Sequence, residues 1–259
     1  LRIKDPQFQD EWEALTLELD NLIDASLHGS TDNAIPCTFA AAEILWQQGP
    51  LLRAQRVIAE VGQRSDLHLL QYHSLRVLQA RFLRLMGKTA LAQKMLEEKV
   101  LLLDNNMTFS PHPDSFAEYW QQESHYSETA QLIYWEGLRK MEQANLAYNA
   151  SLLEAAQQSY EAAMVCFDMI HNRRGKALIL NGLGNVYGEQ DKMSQAIEAY
   201  QKGGTIAQEI GFLRHAGTCL AHQGLMLMKQ GEQEQALRCY KEAYAIQKRL
   251  GNRLGQSIN

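Results

Sequence analysis

The stretch Leu180–Tyr187, which reads LNGLGNVY, is followed by Ala196 and Tyr200, and the same order of residue types returns 40 residues later. A period that holds over so many positions is typical of a repeat protein. The predicted turns agree as well, with Gln190-Asp191 in the first copy and Gln230-Gly231 in the second. The equivalent positions of the second copy are Leu220, Gln223, Gly224, Leu227, Ala236 and Tyr240.

Small residues in this pattern indicate pairs of closely packed helices. Antiparallel helices approach closely where one small residue faces another, so we expect Gly184 to lie against Ala196. Tyr187 and Tyr200 are expected to fill the groove beside that contact. The 12-residue spacing from Gly184 to Ala196 recurs upstream, between Ala42 and Ala54 and between Ala80 and Ala92.

One helical hairpin cannot bury both of its apolar faces, so hairpins of this kind stack into a solenoid. The spacing predicts five hairpins, at roughly 35–61, 67–103, 126–171, 176–210 and 215–250. We expect the array to continue past Asn259, because Asn252-Arg253 repeats the opening Asn172-Arg173 of an earlier hairpin.

This pattern resembles the tetratricopeptide repeat family, whose motif is W-x-x-L-G-x-x-Y followed by A-x-x-x-F. Leu180 replaces the tryptophan and Tyr200 the phenylalanine, and the period exceeds the usual one of about 34 residues. The resemblance is specific over 176–251 and extends to 126–175, whereas the earlier hairpins keep only the small-residue spacing. It implies an all-α, right-handed α-solenoid of about five hairpins with an extra N-terminal helix.

The resulting division of the chain has four parts. Residues 1–34 form an N-terminal helix and linker, 35–104 two divergent hairpins, 105–125 an insertion, and 126–259 three regular hairpins with the start of a further repeat. The insertion is a loop followed by a helix with a capping box at Ser115 and Glu118. We expect this helix to pack across the stack, with an exposed edge that contacts a partner as the alternative. Its aromatic residues are Phe116, Tyr119, Trp120, Tyr126, Tyr134 and Trp135.

Composition limits the class of protein. The chain has 259 residues, is 46% hydrophobic and carries a formal charge of −5. It has no block of basic residues, so neither nucleic acid nor an anionic membrane is an expected partner. No apolar run reaches the length of a membrane span. Its four cysteines are far apart, which favours free thiols and a cytoplasmic location, and the initial Leu1 indicates a piece of a longer chain.

No catalytic site, cofactor or metal is expected. The chain contains no glycine-rich phosphate loop, H-E-x-x-H or G-x-S-x-G motif. His215, Cys219 and His222 share one helical face, with Cys239 on the paired helix. A closed zinc site usually contains paired cysteines, so we interpret these four as packing or groove residues.

The family resemblance implies a ligand in the concave groove, which the first helix of each hairpin lines. Asn145 and Asn185 are 40 residues apart, and family members that bind extended peptides use asparagine at this position. Arg174 and Arg214 begin their helices and could pair with an acidic group. Met141, Ala221 and Leu225 argue against a chaperone carboxylate. The other predicted groove residues are Tyr148, Asn149, Asn181, Glu189, His222 and Lys229.

The N-terminal segment adds a second resemblance. Residues 18–25 are similar to the E-x-x-N-L-x-x-A segment of STAND-type signalling ATPases of the MalT and AfsR type, and Trp46–Leu51 reads as a helix end, a glycine and a new helix. This implies the sensor arm of a larger regulator that binds a protein, a peptide or a small effector and could self-associate through its terminal repeats. The alternatives are a stand-alone scaffold or peptide receptor and the regulatory repeats of a caspase-like protease.

Overall fold

A computed structural model describes residues 19–48, 50–97 and 128–256, which contain eleven α-helices and no β-strand. The first five helices are α1 (Leu19–His28), α2 (Thr31–Gln48), α3 (Leu51–Val61), α4 (Leu69–Leu85) and α5 (Thr89–Leu96). The regular part comprises α6 (Glu128–Asn149), α7 (Leu153–Met169), α8 (Arg173–Glu189), α9 (Met193–Glu209), α10 (Leu213–Lys229) and α11 (Gln233–Gln256).

Consecutive helices pack as hairpins, in the pairs α2–α3, α4–α5, α6–α7, α8–α9 and α10–α11. Each hairpin then packs on the next one, through α3 with α4, α4 with α6, α7 with α8, and α9 with α10. Helix α1 covers α2 and α3 at the start of the stack. The predicted all-α solenoid with an extra N-terminal helix is therefore confirmed, while the division at 34, 104 and 125 stays a prediction.

The 40-residue period consists of two equal halves. Helices α7, α8, α9 and α10 each have 17 residues. Each turn beside these helices contains a residue with positive φ, at which the chain reverses direction, and these residues recur every 20 positions. The amide after it then bonds back to the preceding helix, as from Lys192 N to Tyr187 O at 2.9 Å, so the last carbonyls are capped. These residues are Ser151, His171, Asp191, Gly211 and Gly231.

Gly184 lies against a tyrosine ring of the paired helix. A Cβ atom at Gly184 would lie 2.5 Å from Cε1 of Tyr200, and the three nearest atoms all belong to that ring. Gly182 is covered in the same way by Tyr160 of the preceding hairpin, with Cζ 2.5 Å from such a Cβ. The glycines thus make room for tyrosine rings, because a side chain at either position would overlap a ring; the predicted contact of Gly184 with Ala196 stays a prediction.

Two further observations bear on the sequence expectations. Tyr134 and Trp135 lie in α6 and are buried, which agrees with the expected packing on the stack and contradicts the alternative of an exposed edge for these two residues. Helix α11 continues through Gly251 to Gln256, whereas the sequence predicted that this hairpin ends near residue 250. The loop 105–114 and the remaining aromatic residues of the insertion lie outside the described residues.

Candidate functional site

Asn181 and Asn185 lie one turn apart on α8, and the carboxamide oxygen of each one accepts a hydrogen bond from another side chain of the protein. The hydroxyl of Tyr200 donates a hydrogen bond of 2.7 Å to Oδ1 of Asn185. Oδ1 of Asn181 lies 3.1 Å from Nδ1 of His222 and accepts from the Nδ1–H tautomer, and Sγ of Cys219 lies 3.7 Å from the same oxygen. Both asparagines are half-buried, which leaves part of each side chain accessible to solvent.

The same arrangement occurs one repeat earlier. Tyr160 donates a hydrogen bond of 2.6 Å to Oδ1 of Asn145. Burial raises the pKa of Tyr160 and of Tyr200 well above the usual tyrosine value, so both hydroxyls stay protonated and act as donors. In the last repeat, Leu225 occupies the asparagine position and is 46% exposed. The tyrosine–asparagine pair is therefore a feature of hairpins α6–α7 and α8–α9.

A buried ion-pair network adjoins Asn145 and was not predicted from the sequence. Glu142 has a side chain only 2% exposed and accepts hydrogen bonds of 2.8 Å from Nε of Arg81 and from Nε of Arg84. Burial alone would raise the pKa of Glu142, but the two guanidinium groups outweigh it and hold the pKa below its usual value. Nδ2 of Asn145 also lies 3.4 Å from Glu142, so this asparagine is tied to the network on both sides.

Other predicted groove residues lie at the ends of the first helices. Asn149, Glu189 and Lys229 are the last residues of α6, α8 and α10, and their side chains are exposed. Tyr148 is half-buried, and its pKa is raised by burial and then by the negative charge of Glu189. Tyr148 and Glu189 follow Asn145 and Asn185 by about one helical turn, so they border the asparagines.

The histidines of α10 contact α8. Nε2 of His215 lies 3.1 Å from the carbonyl oxygen of Ala177, and its ring stacks on Phe212 with centroids 5.0 Å apart. The ring of His222 packs against Tyr200 at 5.2 Å. Burial is the main cause that lowers the pKa of both histidines. No group of three or more metal-ligating side chains occurs in the part of the chain that the structure describes.

The structure separates the two predicted arginines from the asparagines. The guanidinium of Arg174 lies over the ring of Phe212, 4.1 Å from its centroid, and lines a cavity between the early and the regular hairpins. Arg214 is exposed at the start of α10. The predicted groove residues therefore divide into three groups: a central group, an exposed rim at the helix ends, and Arg174 in the cavity. The central group consists of Asn145, Asn181, Asn185 and His222, which we call the asparagine face.

Comparison with known proteins supports the repeat architecture. Residues 176–249 match the family model described as tetratricopeptide repeat. The crystal structure of BtubC (BKLC) from P. vanneervenii has 12% sequence identity and a TM-score of 0.63, covering 94% of this chain and 92% of that chain. Two crystal structures of MamA have 18% and 15% identity, with TM-scores of 0.47 and 0.41; they cover 80% and 93% of this chain and 95% and 96% of their own.

No curated protein sequence matches this chain. At these identities the likeness to BtubC concerns the fold. Residues 176–249 are therefore similar to tetratricopeptide repeats, and the solenoid fold extends over most of the chain. The four cysteines are free thiols, of which Cys166 and Cys219 are buried and Cys37 and Cys239 half-buried. None of the helices within the described residues is long and apolar enough to span a membrane.

Proposed function

We propose that this protein binds an extended peptide segment of another protein on the asparagine face. The tetratricopeptide fold supports a protein-interaction module in general. The observation that carries the more specific proposal is the internal engagement of the two α8 carboxamide oxygens, by Tyr200 for Asn185 and by His222 for Asn181. An amide whose oxygen is held in place presents its NH₂ group in a defined direction, which reduces the entropy lost when a ligand binds.

The spacing of these two donors suits a peptide backbone. Asn181 and Asn185 are four residues apart in one helix, which corresponds to a rise of about 6 Å. Alternate residues of an extended chain are separated by about 6.6 Å. Two NH₂ groups at this distance can donate to two backbone carbonyls on the same side of a peptide, and they do so without reading its side chains. Among the described residues, neither Nδ2 has a protein acceptor within hydrogen-bonding distance.

The borders of the asparagine face would supply selectivity. Glu189 adds a negative charge and Lys229 a positive charge at the ends of α8 and α10, while Tyr148 offers a partly exposed ring. Aromatic and charged side chains at the edge of a groove discriminate between ligands through a few strong contacts. Asn145 is less available than the α8 pair, because its NH₂ group is close to Glu142.

For the wider role, we propose the sensor arm of a larger cytoplasmic signalling ATPase or transcription regulator. The support is the similarity of residues 18–25 to such proteins and the helix end, glycine and new helix at 46–51, where α2 ends at Gln48 and α3 begins at Leu51. A stand-alone scaffold and a repeat-controlled caspase-like protease are the alternatives. The coding sequence on either side distinguishes them, since a nucleotide-binding motif is expected only for the first and a His/Cys protease domain only for the third.

The peptide proposal is tested with Asn185→Asp and Asn181→Asp, singly and together. Aspartate keeps an oxygen that can accept from Tyr200 or His222 but removes the NH₂ donors, so the internal hydrogen bonds survive while the ligand contacts are lost. The matched control is Gln195→Glu, which makes the same change of amide to carboxylate at an exposed position on α9. Peptides selected from a random display library on the wild-type protein are then titrated against each variant.

We expect the double variant to bind the selected peptides at least tenfold more weakly, since each lost hydrogen bond contributes about 1 kcal/mol. The Gln195→Glu variant should bind like the wild type. Peptides that bind the double variant and the wild type with equal affinity would refute the asparagine face as the binding surface. Circular dichroism verifies that every variant is folded.

A further inference from the structure

The hairpin α10–α11 exposes an apolar surface on the side away from α8–α9. Met228 is 51% exposed, Leu237 53%, Tyr240 36% and Tyr244 66%. Five of the ten large hydrophobic side chains that are exposed within the described residues lie on this one hairpin. A cluster of this kind marks an interaction surface. We call Met228, Leu237, Tyr240 and Tyr244 the end face.

The repeat shows what covers the same positions one hairpin earlier. Tyr200, the counterpart of Tyr240, is only 3% exposed, because a ring of α10 packs against it. Ile197, the counterpart of Leu237, packs against the cluster that contains Met226 of α10. The end face is therefore the surface on which a hairpin receives its neighbour, and within the described residues no helix covers it on α10–α11.

Side-chain size excludes the same arrangement on the end face. On α8–α9 the neighbouring helix α10 approaches over two glycines: a Cβ at Gly188 would lie 3.1 Å from a methionine sulfur, and one at Gly204 would lie 3.3 Å from Cβ of Cys219. Met228 and Tyr244 occupy these two positions in α10–α11. A further hairpin packed in the same way would overlap both side chains. The end face therefore suits an occupant that packs in a different geometry.

The apolar pattern of α11 is complementary to itself. Leu237 and Tyr244 are seven residues apart, which is about two helical turns, and they share one side of the helix with Tyr240. If two α11 helices run antiparallel about a two-fold axis near Tyr240, Leu237 of each copy faces Tyr244 of the other. A two-fold interface uses the same patch on both subunits and requires this kind of match.

The charges of α11 favour the same antiparallel arrangement. Glu232 and Glu234 lie at the beginning of the helix, Lys248 and Arg249 lie near its end, and all four are exposed. Antiparallel packing places the acidic end of each helix beside the basic end of the other, whereas parallel packing would bring like charges together. Lys241 would lie near its own counterpart, but this is one repulsive contact against two symmetry-related attractive ones.

The end face is large enough for a specific dimer. Helices α10 and α11 contain 17 and 24 residues. Two packed helices of these lengths present a face of about 30 Å by about 20 Å, or about 600 Å². Two copies would therefore bury about 1,200 Å² in total, which reaches the range of about 1,200–2,000 Å² that is typical of specific interfaces. An interface of this size corresponds to a reversible dimer.

We propose that two copies of this chain associate through their end faces, with their α11 helices antiparallel about a two-fold axis. The dimer carries two asparagine faces, so a partner with two binding segments would gain avidity. The inference does not depend on the peptide proposal, because no residue of the end face belongs to the asparagine face.

The first test is sedimentation equilibrium of the whole chain over a range of protein concentrations. It compares the wild type with a polar variant that combines Leu237→Gln and Tyr244→Gln. The matched control combines Leu152→Gln and Val165→Gln, which make the same kind of change at two exposed apolar positions, just before α7 and on α7. Circular dichroism confirms that each variant is folded.

A second set of variants tests the antiparallel geometry by exchange of charge. Glu234→Lys and Lys248→Glu are measured singly and together. Each single reversal places like charges side by side across the axis, whereas the two reversals together restore attraction. This rescue is expected only if the beginning of one α11 lies beside the end of the other.

We expect the wild type to form a reversible dimer and the polar variant to raise its dissociation constant at least tenfold, while the control variant leaves it unchanged. Each single charge reversal should raise the dissociation constant at least threefold, because two-fold symmetry makes every change count twice, and the double reversal should restore it. Four results would overturn the proposal: monomers at every concentration, assemblies larger than dimers, a polar variant that dimerises like the wild type, or a double reversal without rescue.

Discussion

The hydroxyl of Tyr200 on α9 donates a hydrogen bond of 2.7 Å to Oδ1 of Asn185 on α8. The bond joins the two helices of one hairpin and orients the carboxamide that we propose to contact a ligand. Its counterpart joins Tyr160 to Asn145 at 2.6 Å in the preceding hairpin. One pair of residues therefore contributes both to the stability of the hairpin and to the geometry of its inner surface.

Removing this hydroxyl should have a measurable cost. We expect Tyr200→Phe to lower the free energy of unfolding by about 1 kcal/mol, the usual contribution of one intramolecular hydrogen bond. Tyr240→Phe is the matched control, because Leu225 stands at the asparagine position of that hairpin and has no side-chain acceptor. Urea denaturation of both variants measures the difference. Equal losses would show that the hydroxyl of Tyr200 stabilises the protein through something other than Asn185.

The glycines that lie under tyrosine rings should tolerate no side chain. A methyl group at Gly184 would stand 2.5 Å from the ring of Tyr200, so we expect Gly184→Ala to destabilise the protein by about 1–3 kcal/mol through overpacking.

Gly217 provides the contrast. A methyl group there would make ordinary contacts, the nearest at 3.5 Å with Cγ2 of Ile246. Gly217→Ala should therefore stabilise the protein by about 0.5–1 kcal/mol, because alanine loses less backbone entropy in a helix. Thermal and chemical denaturation give the sign of each change, and the same sign for both variants would contradict the packing that we describe.

Glu142 should dominate the stability of the contact between α4 and α6. Replacement by glutamine keeps the shape but leaves Arg81 and Arg84 without their shared counter-charge. Because these guanidinium groups are 20% and 17% exposed, we expect a loss near the lower end of about 3–5 kcal/mol, the cost of removing one partner of a buried pair. The control is Glu154→Gln, an exposed carboxylate on α7, which should change the free energy of unfolding by less than about 0.5 kcal/mol.

The same carboxylate should affect acid stability. Its pKa in the folded protein is below the unfolded value, so it stabilises the fold at neutral pH, and this contribution disappears as the pH falls below about 4.3. The Glu142→Gln variant should lose less stability than the wild type over that acidic range. Denaturation midpoints measured at several pH values for both proteins provide the comparison.

The two histidines of α10 should make the protein less stable in mild acid. Burial lowers the pKa of His215 and His222 in the folded state, so the unfolded chain binds protons more readily between the folded pKa and about 6.5. The free energy of unfolding should therefore decrease as the pH falls from about 7 to about 5. His215→Gln should show a smaller decrease than the wild type, and denaturation midpoints measured between these pH values for both proteins check it.

The repeat pattern predicts where the central group and the rim of the site lie, but it does not predict the position of Arg174. Asn181 and Asn185 share one helical face by virtue of their spacing alone, and the structure confirms that both lie on α8. Arg174 also fits the 40-residue register with Arg214. Nevertheless, it lies against Phe212 and lines the cavity, because the chain before α8 packs on the irregular hairpins and the chain before α10 does not.

The helical hairpins and their 40-residue period could be predicted from residue spacing, because the apolar and small positions of each helix and the turn residues recur along the chain. Which side chains meet across hairpins depends on how the hairpins pack. Glu142 reaches Arg81 and Arg84 over separations of 61 and 58 residues, and the cavity beside Arg174 draws on five helices and on the residues that precede α8 and α10. Such contacts depend on the angle and displacement between packed helices, and the period of a repeat does not specify these where divergent hairpins adjoin regular ones.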